Sequence, residues 1–384
     1  MRTDAAMRAA IFLSCALMCT LMSGCGGSGG SNMGGGTPPA APTISTTPAL
    51  SSAVIVTLAD VSPSTVIYYT VDGSTPTPAS QQYQAPFLVA SNLTVNAIAV
   101  SGASDALLIS TVASQTFTLN IPSGTLVWSD EFTSSSSTPA QPNPAVWTYD
   151  TGNSGFGNGE LENYCSWGSN TSPCSTAGPS EYVAAYPGTD GVLYIVAQQP
   201  SPLVYTSARL KTQGLFSFQY GRIEFRAIVP EAQGFWPANW LLGNNITTSP
   251  WPACGEQDVL ERVNVARIPD WNEGSIHGTG FTGGTGLGTK YDFPTGQTAG
   301  GAFHTYGMIW SPGSVAYYVD DPTTPYITYT PASLSSGMVW PFDSGQSNFI
   351  ILNLAIGGGY PGSPDSSTPF PSEMLVDYVR IYTN

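Results

Sequence analysis

Short segments of alternating apolar and polar residues recur along this chain, separated by turn-forming residues. Three of them occur early, at Val54–Leu58, Val66–Thr70 and Leu93–Val100. Alternation with a period of two is typical of strands that bury one face, and the turn Asp72–Pro76 divides two of these segments. Residues 43–120 are therefore predicted to form a small β-sandwich. Tyr220–Ile228 and Phe349–Ala355 continue the pattern, so we predict an all-β protein.

The N-terminal segment has a different character. Arginines precede an apolar run, Ala9–Met22, that is too short for an ordinary membrane-spanning helix, so residues 1–24 are predicted to be a signal peptide. Leu21–Cys25 resembles a bacterial lipobox, which implies that Cys25 is acylated and becomes the mature N-terminus. A plain cleaved signal peptide is the alternative. Residues 25–42, rich in Gly and Ser and then in Pro and Ala, are predicted to be a flexible linker.

Composition narrows the classes of function. Charged residues make up only 9% of the 384 residues, and the formal net charge is −15. A nucleic-acid partner requires a basic surface, so we expect none; a neutral substrate suits this balance better. All nine tryptophans lie at or after Trp128. Sugar rings stack their C–H faces on aromatic rings, so residues 121–384 are predicted to hold a carbohydrate cleft, with about half of these tryptophans in the core instead.

Three cysteines follow the linker. Cys165 and Cys174 bracket a polar loop and could form a disulfide in an oxidising compartment. Cys254 would then be a buried free thiol. The chain has only two histidines and no Cys/His spacing typical of zinc. We therefore expect no cofactor for catalysis.

The chemistry is concentrated in Trp251–Glu261, where Glu256, Asp258 and Glu261 lie within six residues. On a regular strand, Glu256 and Asp258 share one face and Glu261 points away. A β-bulge at Val259 or Leu260 would bring all three acids to one face. Retaining glycoside hydrolysis requires two carboxyl groups about 5–5.5 Å apart, one as nucleophile and one as acid/base. A solvated edge strand or a calcium cage is the alternative.

The motif Glu-x-Asp-x-x-Glu, preceded by Trp-Pro-x-x-Gly, resembles the catalytic signature of glycoside hydrolase family 16, in its laminarinase-like endo-β-1,3-glucanase branch. The similarity runs over residues 126–384. Its further segments are Leu126–Phe132, Gly157–Tyr164, Ser207–Leu210, Tyr220–Glu224, Phe235–Gly243, Ser275–Gly278, Phe303–Tyr306, Tyr318–Asp320, Phe349–Gly358 and Val376–Tyr382. Separately, Ile67–Thr77 resembles the immunoglobulin-like module at the C-terminus of chitobiases. These resemblances imply a concanavalin-like β-jelly roll in residues 121–384, preceded by an immunoglobulin-like module that is usually a spacer. Sugar binding through Tyr68 or Tyr83 is the alternative role for the module.

The family resemblance assigns the catalytic residues. It implies that Glu256 is the nucleophile, Glu261 the acid/base and Asp258 the residue that hydrogen-bonds and tunes Glu256. The chain departs from the family at Gln257, where an aliphatic residue is usual, and at Tyr360, where Trp is common. A buried Gln257 amide needs hydrogen-bond partners between the sheets.

Other positions are candidates for substrate binding or for a metal. Trp236, Trp240 and Trp251 are predicted sugar platforms, with core packing as the alternative. By resemblance, Arg209 and Asn163 contact sugar hydroxyls, and His277 is expected near the cleavage point. His304 is expected to be structural. The resemblance also implies that Glu131 and Asp377, near the two ends of the domain, hold a structural calcium ion.

The sequence thus predicts an endo-acting, retaining β-glucanase that hydrolyses β-1,3-linked glucan such as laminarin. Mixed-linkage β-1,3-1,4-glucan and galactan are alternative substrates, and transglycosylation is an alternative outcome. A non-catalytic glucan-binding protein is the alternative outside the enzymes. We expect a monomer attached to a membrane through a lipid anchor. Gly26 after Cys25 favours the outer membrane or cell surface, and plain secretion is the alternative.

Overall fold

A computed structural model of the chain describes residues 37–62, 64–102, 106–263 and 270–384. The chain divides into two compact units, Met1–Thr37 and Pro38–Asn384. The predicted signal peptide, the lipidation site Cys25 and most of the predicted linker lie outside the described residues. Everything that follows concerns the second unit.

An immunoglobulin-like module occupies the first part of this unit. Its strands are β1 (Thr43–Pro48), β2 (Val54–Ala59), β3 (Val66–Thr70), β4 (Gln81–Gln82), β5 (Phe87–Val89), β6 (Leu93–Ser101), β7 (Leu108–Ile109) and β8 (Ala113–Phe117). They form a three-stranded sheet, β1-β2-β5, and a five-stranded sheet in which β3 and β6 are central. The predicted β-sandwich is confirmed. Tyr83 packs edge-on against Tyr69 and Phe87 at the module's core, so its ring contributes to packing.

The larger part is a two-sheet β-sandwich. Its strands are β9 (Leu126–Asp130), β10 (Thr148–Asp150), β11 (Glu162–Tyr164), β12 (Glu181–Ala184), β13 (Val192–Ser201), β14 (Val204–Ser207), β15 (Arg209–Lys211), β16 (Gly221–Ile228), β17 (Phe235–Gly243), β18 (Glu256–Glu261), β19 (Trp271–His277), β20 (Leu287–Asp292), β21 (His304–Ser311), β22 (Ser314–Val319), β23 (Ile327–Tyr329), β24 (Asn348–Ile356) and β25 (Ser372–Tyr382). One sheet has seven strands in the order β10-β15-β24-β17-β18-β19-β20, and the other has ten, centred on β13, β25 and β16.

The helical segments in the described part of the chain are single 3-10 turns. They are Leu50–Ser52, Gly155–Gly157, Cys174–Thr176, Gly283–Thr285 and Pro331–Ser333. None of them could cross a membrane.

The core lies between the two sheets. Alternate residues of the seven-stranded sheet, such as Leu241, Val259 and Ile276, point inward and pack against residues of the ten-stranded sheet such as Phe225 and Met308. Trp128, Trp147, Trp271 and Trp310 are buried, in agreement with the prediction that about half of the tryptophans are core residues. The intervening residues of the seven-stranded sheet point away from this core. We call that side the outer face.

The immunoglobulin-like module docks on the sandwich through backbone hydrogen bonds. Leu88 N–H donates to Ser217 C=O at 2.9 Å, and Ser217 N–H donates to Pro86 C=O at 2.9 Å. The Gln81 side chain donates to the backbone oxygen of Ser344 at 2.8 Å, and Ala53 packs into the core of the sandwich. The module is therefore in direct contact with the sandwich, unlike a spacer.

Candidate active site

The three clustered acids share the outer face because β18 contains a bulge. Against β17, Asp258 pairs with Trp240 and Leu260 pairs with Asn239, so Val259 is the extra residue. The register against β19 shifts in the same segment. Val259 and Leu260 are both buried in the core, and Glu261 returns to the side of Glu256 and Asp258. The predicted bulge is confirmed.

Glu256 begins β18 and is held by an indole. Trp251 Nε1 donates to Glu256 Oε2 at 2.6 Å, and His277 Nε2 lies 3.8 Å from Glu256 Oε1. Both partners favour the ionised carboxylate. The carboxylate is therefore supported in the charged form that a nucleophile requires.

Asp258 lies between the two glutamates and is hydrogen-bonded across to β19. Ser275 Oγ donates to Asp258 Oδ2 at 2.7 Å, and His277 Nε2 is 3.2 Å from the same oxygen. Asp258 thereby fixes His277 beside Glu256. The predicted hydrogen bond between Asp258 and Glu256 is absent among the described residues. The two acids are instead linked through His277, their shared neighbour.

Glu261, at the end of β18, has a different environment. Trp236 Nε1 donates to Glu261 Oε1 at 3.0 Å. Across the strand pair, however, Glu261 faces Glu273 of β19. Glu261 is therefore surrounded by other carboxylates to a greater extent than Glu256.

Burial and mutual repulsion raise the pKa of both glutamates. For Glu256, burial and then Asp258 raise the pKa, while His277, the Trp251 hydrogen bond and Arg209 lower it. For Glu261, burial and then Asp258 and Glu273 raise the pKa, with His277 acting in the opposite sense. Because the two carboxyls repel each other's ionisation, one can hold a proton while the other is ionised, which is the division of roles that retaining hydrolysis requires. His277, the Trp251 hydrogen bond and Arg209 favour Glu256 as the ionised member.

His277 completes the electrostatics of the site. Burial acts to lower its pKa, but the hydrogen bond to Asp258 and the surrounding carboxylates raise it to about 9. Gly286 packs directly on this ring, and a side chain there would collide with His277 Nδ1 and Cε1. The ligand atoms of Glu256, Asp258 and His277 lie within 4.8 Å of one another, a spacing that could hold a metal ion.

A family comparison agrees with this geometry. The model of glycosyl hydrolases family 16 matches residues 180–379, which is more than half of the chain. This chain belongs to glycosyl hydrolases family 16. The model of the chitobiase/beta-hexosaminidase C-terminal domain matches residues 46–111. Both resemblances predicted from the sequence are confirmed.

Individual relatives and solved structures agree with the family assignment. A beta-glucanase of Rhodothermus marinus is 36% identical over 272 residues, which cover 68% of this chain and 86% of that protein. Glucan endo-1,3-beta-glucosidase A1 of Niallia circulans is 32% identical, and the match covers 67% of this chain but only 37% of that longer protein. The laminarinase catalytic domain from Thermotoga maritima MSB8 superposes with a TM-score of 0.57 at 35% identity. The superposition covers 68% of this chain and 99% of that domain.

In this family 16 chain, the three predicted sugar platforms have different environments. Trp251 is 46% exposed. Trp236 is part-buried and packs edge-on against Tyr360, with ring centroids 5.5 Å apart. Trp240 is also part-buried; its Nε1 donates to Asn353 Oδ1 at 2.7 Å. Trp236 and Trp240 share the outer face, as their spacing predicted.

Arg209 joins this surface, whereas Asn163 contacts the disulfide. The Arg209 guanidinium stacks over Trp240 at 4.7 Å and donates through Nε to Asp150 at 3.0 Å. Cys165 and Cys174 form a disulfide, and Asn163 Nδ2 contacts Cys174 Sγ at 3.0 Å. Cys254 is a buried free thiol, as expected.

Four residues of the site were not predicted to belong to it, although one of them, Tyr360, was named as a departure from the family. Ser275 and Glu273 lie on β19 with the same parity as His277, which is the signal that could have identified them. Asn353 accepts from Trp240 and donates to Tyr164 Oη at 3.2 Å, and Tyr360 donates to Glu273. Both come from the β24 region, about a hundred residues away along the chain, so no local pattern pointed to them.

Two residues that raised questions in the sequence have clear partners. Gln257 is fully buried; its Oε1 accepts from Asn348 Nδ2 at 2.8 Å, whereas its Nε2 has no partner among the described residues. His304 Nδ1 lies 2.8 Å from Asp320 Oδ2, away from the three acids, which fits the structural role expected for it.

The two predicted calcium ligands line one cavity of about 280 Å³, together with Gly188, Thr189 and Asp190. Its oxygen-rich lining is of the kind that a hard cation prefers. However, Glu131 makes a two-pronged ion pair with Arg380 at 2.9 and 2.8 Å, and Asp377 pairs with Arg226. Any cation here shares these carboxylates with guanidinium groups.

Proposed function

We propose that this protein is a retaining endo-β-1,3-glucanase that hydrolyses laminarin-type glucan. The observation that carries this proposal is the bulge at Val259, which places Glu256 and Glu261 on one face of β18, each with its own tryptophan donor. The similarity to a beta-glucanase, an endo-1,3-beta-glucosidase and a laminarinase domain supports the substrate class.

The geometry supports a two-step reaction. A glucan chain lies across the outer face, where Trp240, Trp236 and Trp251 offer aromatic surfaces to its sugar rings. The ionised Glu256 attacks the anomeric carbon while Glu261 donates its proton to the departing glycosidic oxygen. The Glu261 carboxylate then removes a proton from water, which hydrolyses the glycosyl–enzyme intermediate. Trp251 holds the Glu256 carboxylate throughout, and Asp258 keeps His277 beside it.

The decisive experiment measures reducing-sugar release from laminarin by the full chain, with barley mixed-linkage glucan as a second substrate. Glu256→Gln should lower activity by about a thousandfold or more, since the nucleophile is lost while its volume is kept. Activity only on the mixed-linkage glucan would change the assigned substrate and leave the proposed mechanism unchanged. Tight laminarin binding without any sugar release would contradict the proposal and indicate a recognition protein.

Azide rescue can assign the two roles separately. With an activated aryl laminarioligosaccharide, Glu256→Gly plus azide should give the α-glycosyl azide, because azide replaces the nucleophile directly. Glu261→Ala plus azide should give the β-glycosyl azide, because azide attacks the intermediate on Glu256. The reverse assignment of anomers would exchange the two roles.

We further propose that a calcium ion in the cavity of Glu131 and Asp377 stabilises the fold without taking part in catalysis. The carboxylates of Asp190 and Asp377 and the backbone oxygens of that lining would hold it. Calcium should raise the midpoint of thermal unfolding relative to a chelator, and Asp377→Asn should abolish the difference. A midpoint that is the same with calcium and with chelator would contradict the site.

Export through a lipid anchor on Cys25 is also proposed. The lipobox-like segment supports it, and the Cys165–Cys174 disulfide suits an oxidising compartment. Cys25→Ala should move the protein from the membrane fraction to the soluble fraction, and retention in the membrane would contradict the anchor. We also propose a monomer, and sedimentation analysis tests this.

A further inference from the structure

A fourth carboxylate, Glu273, stands beside the acid/base residue of the proposed mechanism. Glu261 and Glu273 are direct partners in the antiparallel pair of β18 and β19. Side chains of such partners lie on the same face, with Cβ atoms about 4.5–5.5 Å apart. The Glu273 side chain is only 17% exposed, so solvent screens its charge incompletely.

The position of Glu273 is fixed by packing and hydrogen bonding. Tyr360 Oη donates to Glu273 Oε2 at 2.8 Å, and Lys290 Nζ lies 3.6 Å from the same oxygen. The other oxygen, Oε1, packs over Gly288 of β20, where any side chain would collide with it. The Glu273 carboxylate is therefore held in one position by a hydroxyl donor, an ammonium group and a closely packed glycine.

We propose that Glu273 is a positioning residue that keeps the Glu261 carboxyl in its protonated, proton-donating form by placing a second negative charge directly across the strand pair. Like charges at this separation disfavour joint ionisation. Glu273 acts on the reaction through Glu261 and makes no contact with the reacting atoms. This inference rests on the proposed function, in which Glu261 is the acid/base.

The other charged groups around Glu261 do not by themselves explain why its protonated form is favoured. Among the described residues, Glu256 and Asp258 come from its own strand and His277 from β19. The imidazolium of His277 opposes the two acids of β18. Lys290 of β20 pairs with Glu273, and Tyr360 donates to Glu273 and also lies near Glu261. Burial, followed by Asp258 and Glu273, raises the pKa of Glu261, which agrees with the geometry.

The test is the pH dependence of kcat/KM on laminarin, which reports the ionisations of the free enzyme. Glu273→Gln removes the charge but can still accept from Tyr360. Its basic limb should move to lower pH by about half to one unit, because Glu261 then loses its proton more easily. Glu273→Asp keeps the charge and should stay close to the unmodified enzyme. Lys290→Gln removes the neighbouring cation, so its basic limb should move the opposite way.

An activated substrate separates the charge effect from a structural one. A 2,4-dinitrophenyl laminarioligosaccharide needs no proton on its leaving group, so Glu273→Gln and the unmodified enzyme should cleave it at equal rates when formation of the intermediate is measured. An unchanged basic limb in Glu273→Gln, or equal shifts in Glu273→Gln and Glu273→Asp, would overturn the inference. Failure of the proposed function would instead appear as an active Glu256→Gln, before any change at Glu273 is considered.

Discussion

The indole Nε1 of Trp251 donates a 2.6 Å hydrogen bond to Oε2 of Glu256, the proposed nucleophile. Trp251 is also the most exposed of the three candidate platforms. One side chain can therefore both orient the nucleophile and present its ring to a sugar. A hydrogen bond to the charged form stabilises it and lowers the pKa, so Trp251 links substrate contact to the ionisation of Glu256.

Trp251→Phe is expected to keep an aromatic platform and lose the donor. Because Glu256 must be ionised to attack, loss of the hydrogen bond should raise its pKa and move the acidic limb of kcat/KM up by about half a unit to one unit. The basic limb should move less. Trp147→Phe is the matched control, since it removes an indole hydrogen bond to another carboxylate, Asp130 of β9, which belongs to the ten-stranded sheet. Equal profiles for both variants would mean that the indole N–H does not tune the nucleophile.

The extra residue in β18 gives a second prediction. Deletion of Val259 removes the extra residue, so Glu256, Asp258 and Glu261 would take alternate positions of a regular strand and all remain on the outer face. A folded deletion variant should therefore keep part of its laminarin hydrolysis, unlike Glu256→Gln. Val259→Ala keeps the register and should cost only about 1–3 kcal/mol of unfolding free energy through the cavity it creates. Urea unfolding and reducing-sugar release measure the two effects, and a deletion variant that folds but is as inactive as Glu256→Gln would contradict the idea that the bulge acts by setting the face of Glu261.

The sequence was informative where the determinants are local. Three acids within six residues, on a strand with buried apolar neighbours, were enough to predict the bulge, because no regular strand places Glu256 and Glu261 on one face. The same parity argument placed Trp236 and Trp240 together. The immunoglobulin-like module and the jelly roll were predicted from the alternation of apolar and polar residues together with the family resemblances.

What the sequence did not predict depends on distant segments. The relationship between Glu261 and Glu273 requires the register of β18 against β19, and the Tyr360 contact joins residues 87 positions apart. Docking of the module on the sandwich was also missed, because a free spacer and a docked module have the same strand pattern. The contacts that distinguish them, such as Ser217 with Pro86, join residues 131 positions apart.

Removal of the module is therefore expected to destabilise the sandwich. A chain beginning at residue 121 loses the backbone hydrogen bonds between Ser217 and the module. It also loses the contacts that Ala53 and Gln81 make with the sandwich. Its thermal midpoint should fall by several degrees, because about 1 kcal/mol corresponds to roughly 2–4 °C for a domain of this size. Activity at a temperature well below the midpoint should be retained. An unchanged thermal midpoint would indicate that the module is only a spacer.

A buried acid pair near the disulfide loop gives the last prediction. Glu162 is fully buried, and one of its oxygens accepts from Ile356 N–H while the other has no partner among the described residues. Burial and then the charge of Glu160 raise its pKa well above the ordinary value. The folded protein therefore holds a proton that the unfolded chain releases above about pH 4.5, and stability is lost as the pH rises through that window.

Glu162→Gln removes this penalty and keeps an oxygen for Ile356. The variant should be little changed near pH 4.5 and more stable than the unmodified protein near pH 8. The difference between the two can grow by at most about 1.4 kcal/mol per pH unit, the limit for a single proton. Urea unfolding at the two pH values measures the difference, with Glu160→Gln as a partner variant that should act in the same sense. If Glu162→Gln were equally destabilised at both pH values, Glu162 would be ionised in the folded protein and its buried carboxylate would stabilise the loop.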